Sequence, residues 1–102
     1  MVDNFTTGVV RMARQISFER VLATYPQLRP LADDPVPWRW EACPVADVEL
    51  WGSRAATPSA PEIDLFVYAG HAALYVGGGH TDAPRITGSL ASMVDVAGRA
   101  AR

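Results

Sequence analysis

The hydrophobic period of the chain changes twice. From Val9 to Tyr25 apolar residues recur at helical spacing, from Trp38 to Val76 they alternate, and from Leu90 to Ala101 helical spacing returns. This order predicts an α+β fold: an N-terminal helix, a three- or four-stranded antiparallel meander, and a C-terminal helix packed on the sheet. One domain over residues 1–102 is expected at this length.

The first helical run has two stripes. Thr6 and Thr7 supply caps, no Gly or Pro interrupts Val9–Tyr25, and Pro26 stops the run. Val9, Met12, Ala13 and Ile16 form one stripe, and Phe18, Val21, Leu22 and Tyr25 form another. At ~100° per residue the two lie on nearly opposite sides of a cylinder. A break near Ser17, which is able to cap a second segment, explains this as well as one helix with two apolar faces does. The lack of a breaker favours the single helix. Pro26, Pro30, Pro35 and Pro37 then predict a stiff, extended connection, docked through Leu28, Leu31 and Val36.

Four alternating runs follow. Trp38, Trp40 and Ala42 alternate with Arg39, Glu41 and Cys43; Ala46, Val48 and Leu50 alternate with Asp47, Glu49 and Trp51. After a loop over 52–61, Ile63, Leu65 and Val67 alternate with Asp64, Phe66 and Tyr68. Gly70-His71 predicts a two-residue hairpin turn, with φ > 0 at the glycine, leading into Ala72, Leu74 and Val76. Gly77 to Gly79 open a loop through Pro84, Thr87 or Ser89 caps the last helix, and Leu90, Met93, Val94, Ala97 and Ala101 form its apolar stripe. The expected core is Ile63, Leu65, Val67, Leu74 and Val76 against Leu90, Met93 and Val94.

Composition narrows the function classes. Apolar residues at 49% and charged residues at 20% suit a folded globular chain and argue against disorder. The net charge of -2 gives no global pull toward nucleic acid or an anionic membrane, although residues 31–77 alone sum to -5. The single cysteine, Cys43, leaves no internal disulfide, and all nine basic residues are arginine. No apolar stretch approaches the ~18 residues of a membrane span, and Met1–Gly8 lacks the features of a signal peptide, so a cytoplasmic location is expected.

Three groups of residues are candidates for function. If the aliphatic side chains of the hairpin face the core, then Trp51, Phe66, Tyr68 and Tyr75 face the other way, with Glu49 and Asp64 among them. Rings on a sheet face can stack bases, but carboxylates repel phosphate, so a protein partner or a second copy of the chain (a homodimer) fits better than nucleic acid. The competing explanation is that the first helix covers these rings as core. Val9, Met12 and Ile16, on the spare stripe of the first helix, are a second candidate interface unless the C-terminal helix covers them.

The third group is chemical: His71, His80, Asp82 and Cys43. A strand of about eight residues, ~25 Å if extended, separates the two histidines, which argues against a shared metal. Nothing in the spacing sets Cys43 beside either histidine. Gly77 to Gly79 lack the Lys-Ser/Thr ending of a phosphate-binding loop. The expectation is therefore a small non-catalytic protein-binding domain, such as an inhibitor, immunity-like factor, adaptor or assembly subunit, with no cofactor, no metal and no membrane. Two alternatives remain: a nucleic-acid binder using Arg11, Arg14 and Arg20, and a small metal- or Cys/His-dependent enzyme.

Overall fold

The computed structural model describes residues 14–42, 47–77 and 85–101. Their fold is α+β, with an antiparallel sheet and a C-terminal helix. The sheet has six strands rather than three or four: β1 (Arg14–Ile16), β2 (Arg39–Ala42), β3 (Val48–Arg54), β4 (Ile63–Tyr68), β5 (Ala72–Val76) and β6 (Arg85–Gly88). Their spatial order is their chain order, every neighbouring pair is antiparallel, and the sheet is a plain meander.

The single N-terminal helix is not what forms. Residues 14–16 are strand β1, and helix α1 runs only from Phe18 to Thr24. Ser17 makes the break: its hydroxyl accepts the Arg20 backbone N–H at 3.3 Å, and Glu19 sits in the positive first turn. The break resolves the two apolar stripes. Val21 is buried in the core, Phe18, Leu22 and Tyr25 pack against that core, and Ile16 lies on β1 opposite Trp40 and packs against it too. Ile16 therefore does not belong to a spare helical face, and Val9 and Met12 lie outside the described residues. Arg11 also lies outside them, and Arg14 is in β1, so the arginines expected on one helix are not assembled there.

The proline-rich connection is helical rather than extended. Pro26–Asp33 is a 3-10 helix whose three-residue turn brings Leu28 and Leu31 onto one face, and both are buried. Pro26 costs no hydrogen bond at the helix start, because its position needs no donor. At the C-terminal end, helix α2 (Leu90–Ala100) is capped by the Ser89 hydroxyl, which accepts the Ser92 N–H at 3.1 Å. Met93, Val94 and Ala97 are its buried stripe, as expected. No helix among the described residues is long and apolar enough to cross a membrane.

The core lies between one sheet face and these three helical pieces. Ile63, Leu65, Val67 and Leu74 are buried there with Trp40 and Leu50, against Val21, Leu28, Leu31, Met93, Val94 and Ala97. Two features hold β3. The ring of Trp40 lies directly on its cross-strand partner Gly52, where an added Cβ would come within 2.2 Å of the indole. That indole stacks with both Phe18 and Trp38, with ring centroids 5.4 and 5.5 Å away, and its own N–H has no hydrogen-bond partner.

Two residues along, Arg54 is buried and its Nε donates to Asp34 at 2.5 Å. The same carboxylate accepts the Trp38 indole N–H at 3.0 Å and the Val36 N–H at 2.9 Å. Both charges are therefore almost fully withdrawn from water, at 2% and 4% exposure for the arginine and aspartate side chains. Such a pair holds only while both members are present.

Gly52→Ala should destabilise the chain by ~1–3 kcal/mol or more, because a rigid, buried indole has no room to yield. Chemical denaturation reads this directly, and an unchanged midpoint would show that Trp40 does not pack on β3. Arg54→Met should cost ~3–5 kcal/mol by stranding Asp34. The ion pair also sets an acid limit. Burial pushes the Asp34 carboxyl up, but Arg54 and the Val36 and Trp38 N–H groups outweigh it and hold it below its ordinary value. A depressed carboxyl stabilises the fold above its unfolded pKa, about 3.9, and that contribution is lost as pH falls through the folded value. Urea midpoints at neutral pH and at about pH 3 should differ less in Asp34→Asn than in the natural chain.

Candidate functional site

The sheet is covered by described helices on one face only. On the other face, antiparallel register sets the side chains in rows. Gln15, Glu41, Trp51, Phe66, Ala73 and Thr87 form one row across the strands, and Arg39, Ser53, Asp64, Tyr75 and Arg85 form the next. Val48 and Tyr68 form a third, shorter row. The ring-bearing residues Trp51, Phe66, Tyr68 and Tyr75 thus fall on one side, as the alternation predicts.

These rings make a layer. Trp51 stacks on Phe66 with centroids 5.7 Å apart, and Tyr75 meets Phe66 edge-on at 5.6 Å. Trp51, Phe66 and Tyr75 make further contacts besides these. Each of the four rings is half-buried, so each keeps part of its surface in solvent. Beneath the layer, Ala73 is buried and so is Asp64, which accepts the Trp51 indole N–H at 3.1 Å. Asp64 is a buried acceptor within the face rather than an exposed charge. The charges that reach the surface here are Arg39 and Arg85, with Glu41 half-buried.

Glu49 is not in this layer. A β-bulge between Val48 and Leu50 inserts Glu49 as an unpaired residue, with Val48 opposite Tyr68 and Leu50 opposite Val67. Simple alternation would set Val48 with Leu50; the bulge moves Val48 to the ring face and turns Glu49 toward the helices. There its Oε1 accepts the Tyr25 hydroxyl at 2.9 Å. Burial first, and then the hydrogen bond and negative charge of Glu49, push the Tyr25 phenol up to about 12. It therefore remains a donor across the physiological range.

Tyr25 and Glu49 line a cleft of about 320 Å³ with Gln27, Tyr68, His71 and Ser89. Tyr68 and His71 stack with centroids 4.7 Å apart and rings nearly parallel. They also border an adjoining cleft of about 420 Å³, with Asp47, Val48 and Glu49. Sequence reasoning missed this grouping. The bulge that creates it has no marker in a run reading Val48-Glu49-Leu50, and Tyr25 comes from the far side of the 3-10 helix.

Ser89, His71 and Glu49 share the cleft, but no hydrogen bond joins them. The Ser89 hydroxyl donates to Ser92 Oγ at 2.9 Å and caps α2. The set lacks the relay of a Ser-His-acid nucleophile, which needs each member bonded to the next. Among the described residues, no group of three or more His, Cys, Asp or Glu is arranged to hold a metal. Cys43, His80 and Asp82 lie outside the described residues.

Glu49→Gln should lower the Tyr25 pKa from about 12 toward the ordinary tyrosine value of about 10, because the carboxylate charge is lost while the burial remains. Absorbance titration near the phenolate band, with Tyr25→Phe identifying the transition, measures it; an unmoved transition would mean that Glu49 does not reach the phenol. No protein-family model matches the chain, and no curated protein or solved structure matches it either.

Proposed function

We propose that the chain is a small non-catalytic protein-binding domain acting through the sheet face opposite its helices. The observation that supports this is the ring layer of Trp51, Phe66, Tyr68 and Tyr75, half-buried on a face where no described helix packs. Aromatic side chains with part of their area in solvent are the usual anchors of protein interfaces, since they bury much surface at little cost in side-chain entropy. The occupant is a protein presenting an apolar patch, because the acidic residues of this face are withdrawn from its surface, Asp64 buried under Trp51 and Glu41 half-buried. Val48 and Tyr68 extend the layer to the end of the sheet, beside the cleft.

The test pairs capture with reconstitution. The natural chain and a Val48→Asp/Tyr68→Ala variant of unchanged melting temperature are used to capture proteins from the source cell. A protein retained by the natural chain should bind the purified domain in calorimetry, and the variant should bind about tenfold more weakly or worse, the loss typical of an interface anchor. A concentration-dependent dimer in light scattering, lost in the variant, would equally support the face, with the chain as its own partner. Equal binding by the two forms, or no binding once purified, would refute the proposal.

A further inference from the structure

The geometry points to a guanidinium-binding site in the cleft beside Glu49, filled by an arginine side chain of the protein partner; this rests on the binding function proposed above. The walls of the cleft suit that group in three ways. A carboxylate stands at its edge, and Tyr25 holds only one of its oxygens, leaving Oε2 to accept a second donor. The Tyr68 ring forms a wall, stacked on His71, so a planar cation can lie along an aromatic surface. Among the described residues, no Lys or Arg lines either of the two adjoining clefts, whose acidic residues are Glu49 and Asp47.

Arginine fits this combination better than lysine. Its fork of N–H donors matches a carboxylate, and its plane stacks on rings, whereas an ammonium is a compact, strongly hydrated point charge. The Tyr25 hydroxyl contributes by orientation. It stays protonated, since burial and Glu49 raise its pKa, and so fixes the carboxylate in one rotamer before the ligand arrives. The bulge performs the essential step: without the extra residue Glu49 would lie among the rings of the outer face and the cleft would lack this carboxylate.

The probe is an acetylated, amidated Gly-Arg-Gly peptide, with citrulline replacing arginine as its neutral isostere. Amide and side-chain NMR should show saturable shifts at Glu49, Tyr68 and His71. The citrulline peptide, and the arginine peptide on Glu49→Gln, should each bind about tenfold more weakly, as the loss of a charge-assisted pair implies. Glu49→Gln keeps the acceptor for Tyr25, and Glu19→Gln, an exposed carboxylate elsewhere, should leave affinity unchanged. Equal binding of arginine and citrulline peptides, or shifts scattered over the surface, would overturn the site. Methylguanidinium binding as tightly as the peptide would overturn the assignment to a protein side chain. If the peptide fails while the Val48/Tyr68 variant still loses its partner, the cleft is refuted and the ring face stands.

Discussion

The fold depends on a large ring lying on a bare backbone. Trp40 occupies the space that any side chain at position 52 would fill, and so fixes β2 to β3 in one register. A slip of one residue would turn the indole to the other face and set a side chain beneath it. The ring also carries the helical layer, since Phe18 at the start of α1 stacks on it, as does Trp38. Two residues beyond Gly52 on the same face, Arg54 ties β3 to Asp34 at the end of the 3-10 helix. One strand thus receives both the tightest packing and the buried ion pair. The two indoles differ in polarity: Trp38 donates to Asp34, whereas Trp40 has an orphan N–H that costs ~1–3 kcal/mol. Packing around Trp40 must exceed that cost for the stack to persist.

Where β3 departs from regularity, the surface acquires its chemistry. Up to the bulge, alternation sorts the aliphatic residues of the strand to the core and its ring to the outer face, and the one charge it sends to the helical side, Arg54, is paired with Asp34. The inserted residue changes the phase of the strand once. Val48 joins the rings, and Glu49 reaches the phenol of Tyr25. A carboxylate and a phenol, 24 positions apart in the chain, become neighbours at the hairpin end of the sheet.

Much of this was legible as parity. The β4–β5 hairpin shows why parity is robust: the turn was expected at Gly70-His71, but Tyr68 pairs with His71, so Ala69-Gly70 is the loop. The partner of every strand residue moves by two positions, and two positions leave the face unchanged. The φ > 0 expected at Gly70 is likewise absent there and occurs at Gly77 instead. The stripe of α2 was equally plain. Other elements were not. Ser17 breaks the N-terminal run through a hydroxyl cap, which competes with helix continuation without any Gly or Pro. The strand β6 is four residues, Arg85-Ile-Thr-Gly, all but the last exposed, so burial leaves no alternation to detect. β3 runs through Gly52 to Arg54, inside the expected loop, because the glycine is there for Trp40 and the arginine for Asp34. The 3-10 helix hides behind prolines that usually signal extension.

The structure redistributes the acidity that the sequence concentrates in residues 31–77. Asp34 is spent on Arg54, and Asp64 is covered by the indole that donates to it. On the ring face this leaves Glu41 half-buried beside the exposed Arg39 and Arg85, a nearly balanced surface. Balanced charge around aromatic area favours contact driven by burial, with little electrostatic steering. Glu49 and Asp47, by contrast, stand together at the end of the sheet, on the far side of the bulge from Trp51. Attraction for a cation is therefore local to that end and would set the orientation of a bound partner more than its affinity. The ring layer and the cleft meet at Tyr68, which belongs to both, so a partner seated on one is necessarily within reach of the other.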